Sequence, residues 1–167
     1  MKSVALLATL HEYQILGSPH NSELEKRLKY LMLRFGAQVV LEEWFEKNGP
    51  SFAAGFAAKS GLAWASVGTR DEEQFRTYTC PPINHPGHDG TLQPPDWNAP
   101  SMAEYGPFKS QENRENQMVK NVEAEMESYE TGIFVLGLAH LHSLFGKLMT
   151  AGFKVTGYHW IGPAIKI

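Results

Sequence analysis

A chain of 167 residues, 43% hydrophobic and 20% charged, has the size and make-up of one globular domain (residues 1–167) with a full core. A net charge of −3 and a sequence pI near 6.2 provide no basic footprint for duplex nucleic acid or an anionic membrane, and no apolar run reaches transmembrane length. The single cysteine, Cys80, excludes an intrachain disulfide framework and suits a reducing cytoplasm.

Met1-Lys2 followed by Val4 to Leu10 has the outline of a signal peptide, but the run passes into His11-Glu12 without a cleavage site, so it reads as the first strand. After a polar loop, Ser22-x-x-Glu25 predicts a capping box, and Leu24, Leu28, Leu31, Met32 and Phe35 form a helical stripe closed by Gly36. Gln38 to Glu43 is a short buried strand ending in two carboxylates. Asn48-Gly49-Pro50 breaks the chain, Ser51 to Ser60 is an Ala/Phe helix, and Leu62 to Val67 is a third strand. Cys80 to Pro107 holds seven of the ten prolines and no periodicity, which predicts a lid or insert over residues 80–108. Ser110 to Glu130 reads as a long helix. The run Ile133 to His140 is a fourth strand passing into a helix with Leu141, Leu144, Phe145, Leu148 and Met149 on one face, and Phe153 to His159 is a fifth strand.

Strand and helix alternate, as in a three-layer, Rossmann-like α/β fold with a parallel five-stranded sheet. The economical strand order is 3-2-1-4-5, with the switch point between strands one and four. Ligands bind at the carboxyl edge of such sheets. Both strands deliver a histidine there after a small-x-x spacing: Ala8-x-x-His11 and Gly137-x-x-His140. A neutral imidazole near its pKa serves as a general base or a metal ligand. Glu42 or Glu43 would supply the acid/base partner or a third ligand, and strand alternation allows only one to face the cleft. Arg114 and Glu115, in the first turns of a crossover helix, stand where an anion clamp or a buried ion pair would form, and His142 belongs to the same neighbourhood. Arg70-Asp71 and His85-Pro86-Gly87-His88-Asp89 are weaker signals. No Gly-rich phosphate loop, nucleophile elbow or H-E-x-x-H motif is present.

The segments Ala8-Thr9-Leu10-His11, Leu41-Glu42-Glu43-Trp44, Asn113-Arg114-Glu115-Asn116-Gln117-Met118 and Gly137-Leu138-Ala139-His140-Leu141, taken in order, resemble the TraB, ChaN, TIKI and erythromycin-esterase-like superfamily. Its members carry two G-x-x-H motifs at strand ends, a glutamate after the second strand, and an Arg-acid pair opening the helix before the last motif. Ala8 replaces the first motif's glycine. The resemblance implies a site of His11, Glu42, Arg114, Glu115 and His140, with Glu42 rather than Glu43 as the motif glutamate. It also implies a His/Glu-dependent or metal-dependent hydrolase, in which His11, His140 and Glu42 would hold a divalent ion, whereas ChaN-like members are described as haem-binding.

The leading expectation is a small cytoplasmic hydrolase in which these residues activate water against an ester, amide or phosphodiester while Arg114 steadies negative charge. The competing expectation is a non-catalytic module that binds a nucleotide-like or haem-like small molecule in the same cleft. Expected partners are a small-molecule substrate or ligand and, for assembly, a homodimer, with neither duplex nucleic acid nor membrane.

Overall fold

The computed structural model describes residues 1–44, 49–68 and 108–160. The expected lid over 80–108, Cys80, Arg70-Asp71 and the His85 to Asp89 segment lie outside the described residues, apart from Phe108 itself, which opens a helix.

Five strands form one all-parallel sheet: β1 (Ser3–Thr9), β2 (Val39–Glu42), β3 (Ala63–Ser66), β4 (Thr131–Gly137) and β5 (Lys154–His159). Helices α1 (His11–Gln14) and α2 (Asn21–Phe35) follow β1, and α3 (Phe52–Ser60) follows β2. Helix α4 (Phe108–Glu125) precedes β4, and α5 (Leu141–Thr150) follows it. No helix among the described residues is long and apolar enough to cross a membrane.

The order across the sheet is 3-2-4-1-5, which corrects the expected 3-2-1-4-5. Strands one and four are neighbours as expected, but β4 stands between β1 and β2. Neighbour and next-but-one placements are both within reach of a crossover containing a helix as long as α2, so the sequence pattern does not separate them. The exchange matters for the site, because it sets the end of β2 directly against the end of β4.

Alternation along the strands builds two cores. Val4, Leu6, Ala8, Val39, Leu41, Phe134 and Leu136 face α4 and α5, packing against Met118, Val122, Leu144 and Leu148. Leu7, Val40, Ile133 and Val135 face α2 and α3, packing against Leu24, Leu28, Leu31, Ala53 and Phe56. The connection leaving β1 thus lies on one face and the connection leaving β4 on the other, which puts the switch point of the sheet, where such folds form their crevice, between their carboxyl ends.

Local signals held to different degrees. Gly36 ends α2 in the left-handed region, with its N–H returned to the Met32 carbonyl, as its place after the apolar stripe predicts. The Ser22-x-x-Glu25 capping box does not form, because α2 starts at Asn21 with His20 as N-cap and Ser22 already lies inside the helix. Asn21 instead ties the preceding loop, accepting from Gly17 N–H and donating to the carbonyls of Tyr13 and Ile15. The fourth strand stops at Gly137, and a 3-10 turn over Leu138–His140 carries the chain into α5.

Candidate active site

Each histidine leaves its strand by a short turn. After Thr9, Leu10 is the N-cap of α1 and His11 opens that one-turn helix. After Gly137, His140 closes the 3-10 turn and N-caps α5. Thr9 and Gly137 are register partners, so the two turns stand side by side over the crevice.

Glu43 lies beneath them. Residues 39 and 41 of β2 face α4 and α5, so the next residue of that phase, Glu43, enters the crevice from the same side. Its N–H is given to the Val135 carbonyl, which extends the pairing with β4 one residue past the strand proper. The Glu43 carboxylate is buried and surrounded. Oε1 accepts from Arg114 Nη2 and lies 3.5 Å from His140 Nε2. Oε2 accepts from Gly137 N–H at 2.8 Å and lies 3.8 Å from His11 Nε2. Desolvation alone would raise its pKa, but the charges and dipoles of His140, Arg114, His11 and the Gly137 N–H outweigh that and bring it down to about 2.

The network continues through His140. Its Nδ1 lies 3.0 Å from Glu115 Oε1, so this buried ring is held between two carboxylates. Glu115 Oε2 accepts from Ser143 Oγ and lies 3.5 Å from Lys147 Nζ. Burial raises the Glu115 pKa, but His140, Ser143 and Lys147 together lower it. Arg114, Glu115, His140 and Glu43 are all nearly inaccessible, whereas the His11 side chain is 53% exposed. His11 alone of the five presents a face to solvent. Desolvation in the cleft lowers its pKa, which Glu43 raises and Arg114 and His140 lower further.

Of the residues expected from sequence, the structure brings together His11, Arg114, Glu115 and His140. Glu42 is not with them, and Glu43 occupies the place assigned to it. Glu42 shares the phase of Val40 and turns to the α2/α3 face, where its Oε2 accepts from Ser51 Oγ and, at 2.9 Å, from Trp64 Nε1. Burial raises its pKa to about 7 against the lowering effect of those two bonds. His142 points elsewhere, lining a groove between α4 and α5 with Lys120 and Gly146. Sequence reasoning missed Ser143 and Lys147, which the i+3 and i+7 spacing from His140 on an early-turn helix face signals, and Gln14, which no local pattern marks.

The expected metal set of His11, His140 and Glu42 does not converge, since Glu42 lies across the sheet from the two imidazoles. Among the described residues no group of three or more His, Cys, Asp or Glu is arranged to hold a metal ion. Glu43 already carries a guanidinium on one oxygen and a backbone N–H on the other. The donor set therefore fits a closed ion-pair network better than a cation cage.

Fold and site together define the class: a parallel α/β sheet with a buried Glu–Arg–His–Glu network at its carboxyl edge and one solvent-facing imidazole. No protein-family model matches the chain, and neither the curated proteins nor the solved structures hold a significant match.

Proposed function

We propose that the protein is a small hydrolase in which His11 is the general base and the buried network fixes its chemistry. The observation that carries this reading is the gap of 3.8 Å between His11 Nε2 and Glu43 Oε2. It is too long for a direct hydrogen bond and too short for a water to sit between the two atoms with normal bonds to both, so in this reading the reacting water sits on the solvent side of Nε2. Such a water would give a proton to Nε2 as it attacks an ester, amide or phosphodiester carried in from the exposed side of His11. The lowered His11 pKa keeps the ring neutral near neutral pH, and the ionised Glu43 stabilises the imidazolium that forms. Arg114 was expected to steady charge on the substrate. Its guanidinium is bonded to Glu43 instead, and in this reading its task is to keep that carboxylate ionised.

The ordered run of motifs that resembles the TraB, ChaN, TIKI and erythromycin-esterase-like superfamily favours the same reaction class, with Glu43 taking the role that the resemblance gave to Glu42. The test is turnover of ester, amide and phosphodiester panels by the wild type and His11→Asn. Loss of a general base is expected to lower the rate by about 10²- to 10⁴-fold without changing the melting temperature. An active His11→Asn, or no turnover on any panel with small-molecule binding retained, would favour the binding-module alternative.

His140 should behave differently from His11. Removing a side chain buried between Glu43 and Glu115 leaves both carboxylates under-compensated, so His140→Ala is expected to cost about 3–5 kcal/mol of stability as well as activity. Because both histidines act on Glu43, the double mutant should lose little more activity than either single mutant. A cycle of activity assays and thermal melts reads both effects, and additive activity losses would show that the two rings work independently.

A further inference from the structure

Gln14 is fully buried at the end of α1, one turn from His11, and its Nε2 lies 3.4 Å from His11 Nδ1. The other end of the amide, Oε1, is buried without a hydrogen-bond partner among the described residues. An orphan amide oxygen costs on the order of 1–3 kcal/mol, a cost that an apolar side chain at this position would not carry. A half-turn of the amide exchanges its two ends: it puts Oε1 where it can accept from Nδ1–H and leaves the NH2 in the place the oxygen had, so the contact to His11 is what either orientation offers.

A neutral imidazole has one N–H and one lone pair, and the partner of one nitrogen decides which it carries. If Nε2 is to take a proton, the ring's own proton must sit on Nδ1 and find an acceptor there. The ionised Glu43 works against this by drawing the proton toward Nε2, with Arg114 and His140 as the other charged or titratable groups facing the ring. Gln14 is the side chain placed at Nδ1 to oppose it. Resting on the reading of His11 as the base, we propose that Gln14 is its positioning residue: Gln14 Oε1 accepts from His11 Nδ1–H and so keeps the lone pair on Nε2, beside Glu43.

The test is imidazole nitrogen–proton correlation NMR on the full chain without substrate, with the His11 signals assigned by their loss in His11→Asn. The expected result is a protonated, pyrrole-like Nδ1 and an unprotonated, pyridine-like Nε2. Gln14→Leu, which removes the acceptor, should shift the pattern toward the Nε2–H tautomer, and Gln14→Glu, which keeps one, should restore it. A wild-type His11 carrying its proton on Nε2 overturns the proposal, as does a folded Gln14→Leu with the wild-type pattern. If Gln14→Leu does not fold, the wild-type and Gln14→Glu spectra decide. Because the readout needs no turnover, the expected tautomer together with silent substrate panels would count against the hydrolase reading alone.

Discussion

Gly137→Ala is expected to silence the site while leaving most of the fold intact. A Cβ at residue 137 would stand 2.5 Å from His11 Nε2, 3.1 Å from His11 Cε1 and 3.2 Å from Glu43 Oε2. Real atoms do not approach so closely, so one neighbour must leave. Glu43 is held by Arg114 and by the Gly137 N–H itself, whereas His11 sits on a one-turn helix with half its side chain in solvent. His11 is therefore the group that swings out, and Nε2 loses its place beside the carboxylate. Overpacking in a fixed core costs about 1–3 kcal/mol, and an exposed exit for the ring puts this case at the low end. Turnover should fall as far as in His11→Asn, by about 10²- to 10⁴-fold. Adding His11→Ala to Gly137→Ala should recover the lost stability without recovering activity, which a double-mutant cycle of melts and rates measures. A fully active Gly137→Ala would mean that His11 is not needed where the structure puts it.

That steric relation explains a pattern visible in the sequence before any fold is known. The small residue of Gly137-x-x-His140 makes room for the histidine of the other motif, so the two motifs interlock across β1 and β4. Adjacency of those strands was legible because strand and helix alternate and a long break precedes the fourth strand, which makes an order with the switch between strands one and four the economical one. The order beyond them was not, since α2 carries the chain past β4 as readily as to an adjacent strand. Arg114 and Glu115 were legible as a pair at the start of a crossover helix. The choice between Glu42 and Glu43 was not legible, because alternation divides them between faces without saying which face holds the site. Leu41 packing under α4, the helix that carries Arg114, settles the phase, and that contact exists only in three dimensions. Gln14 fell in a stretch read as polar loop; it is instead the last residue of α1, buried next to Tyr13, whose ring packs on Trp160.

Adjacent glutamates on opposite faces should give substitutions of opposite sign. Glu43 has a folded pKa depressed from 4.5 to about 2, so its ionised form adds stability that is present above the unfolded value and lost as pH falls toward the folded one. Glu43→Gln removes the charge that Arg114 and His140 surround, and breaking a buried pair from one side costs about 3–5 kcal/mol. It should also abolish turnover. Glu42 is the reverse case: its folded pKa is raised from 4.5 to about 7, so stability declines as pH rises from the unfolded value through the folded one. A shift of that size is worth about 3 kcal/mol above the folded value. Gln at position 42 resembles the protonated acid and can still accept from Ser51 and Trp64, so Glu42→Gln should stabilise the protein at about pH 8, change it little at about pH 5, and leave turnover near wild type. Denaturant melts of both variants at the two pH values, with rates on whichever substrate the panels identify, measure these differences. Turnover lost in Glu42→Gln and kept in Glu43→Gln would move the working carboxylate to the α2/α3 face and undo the site described above.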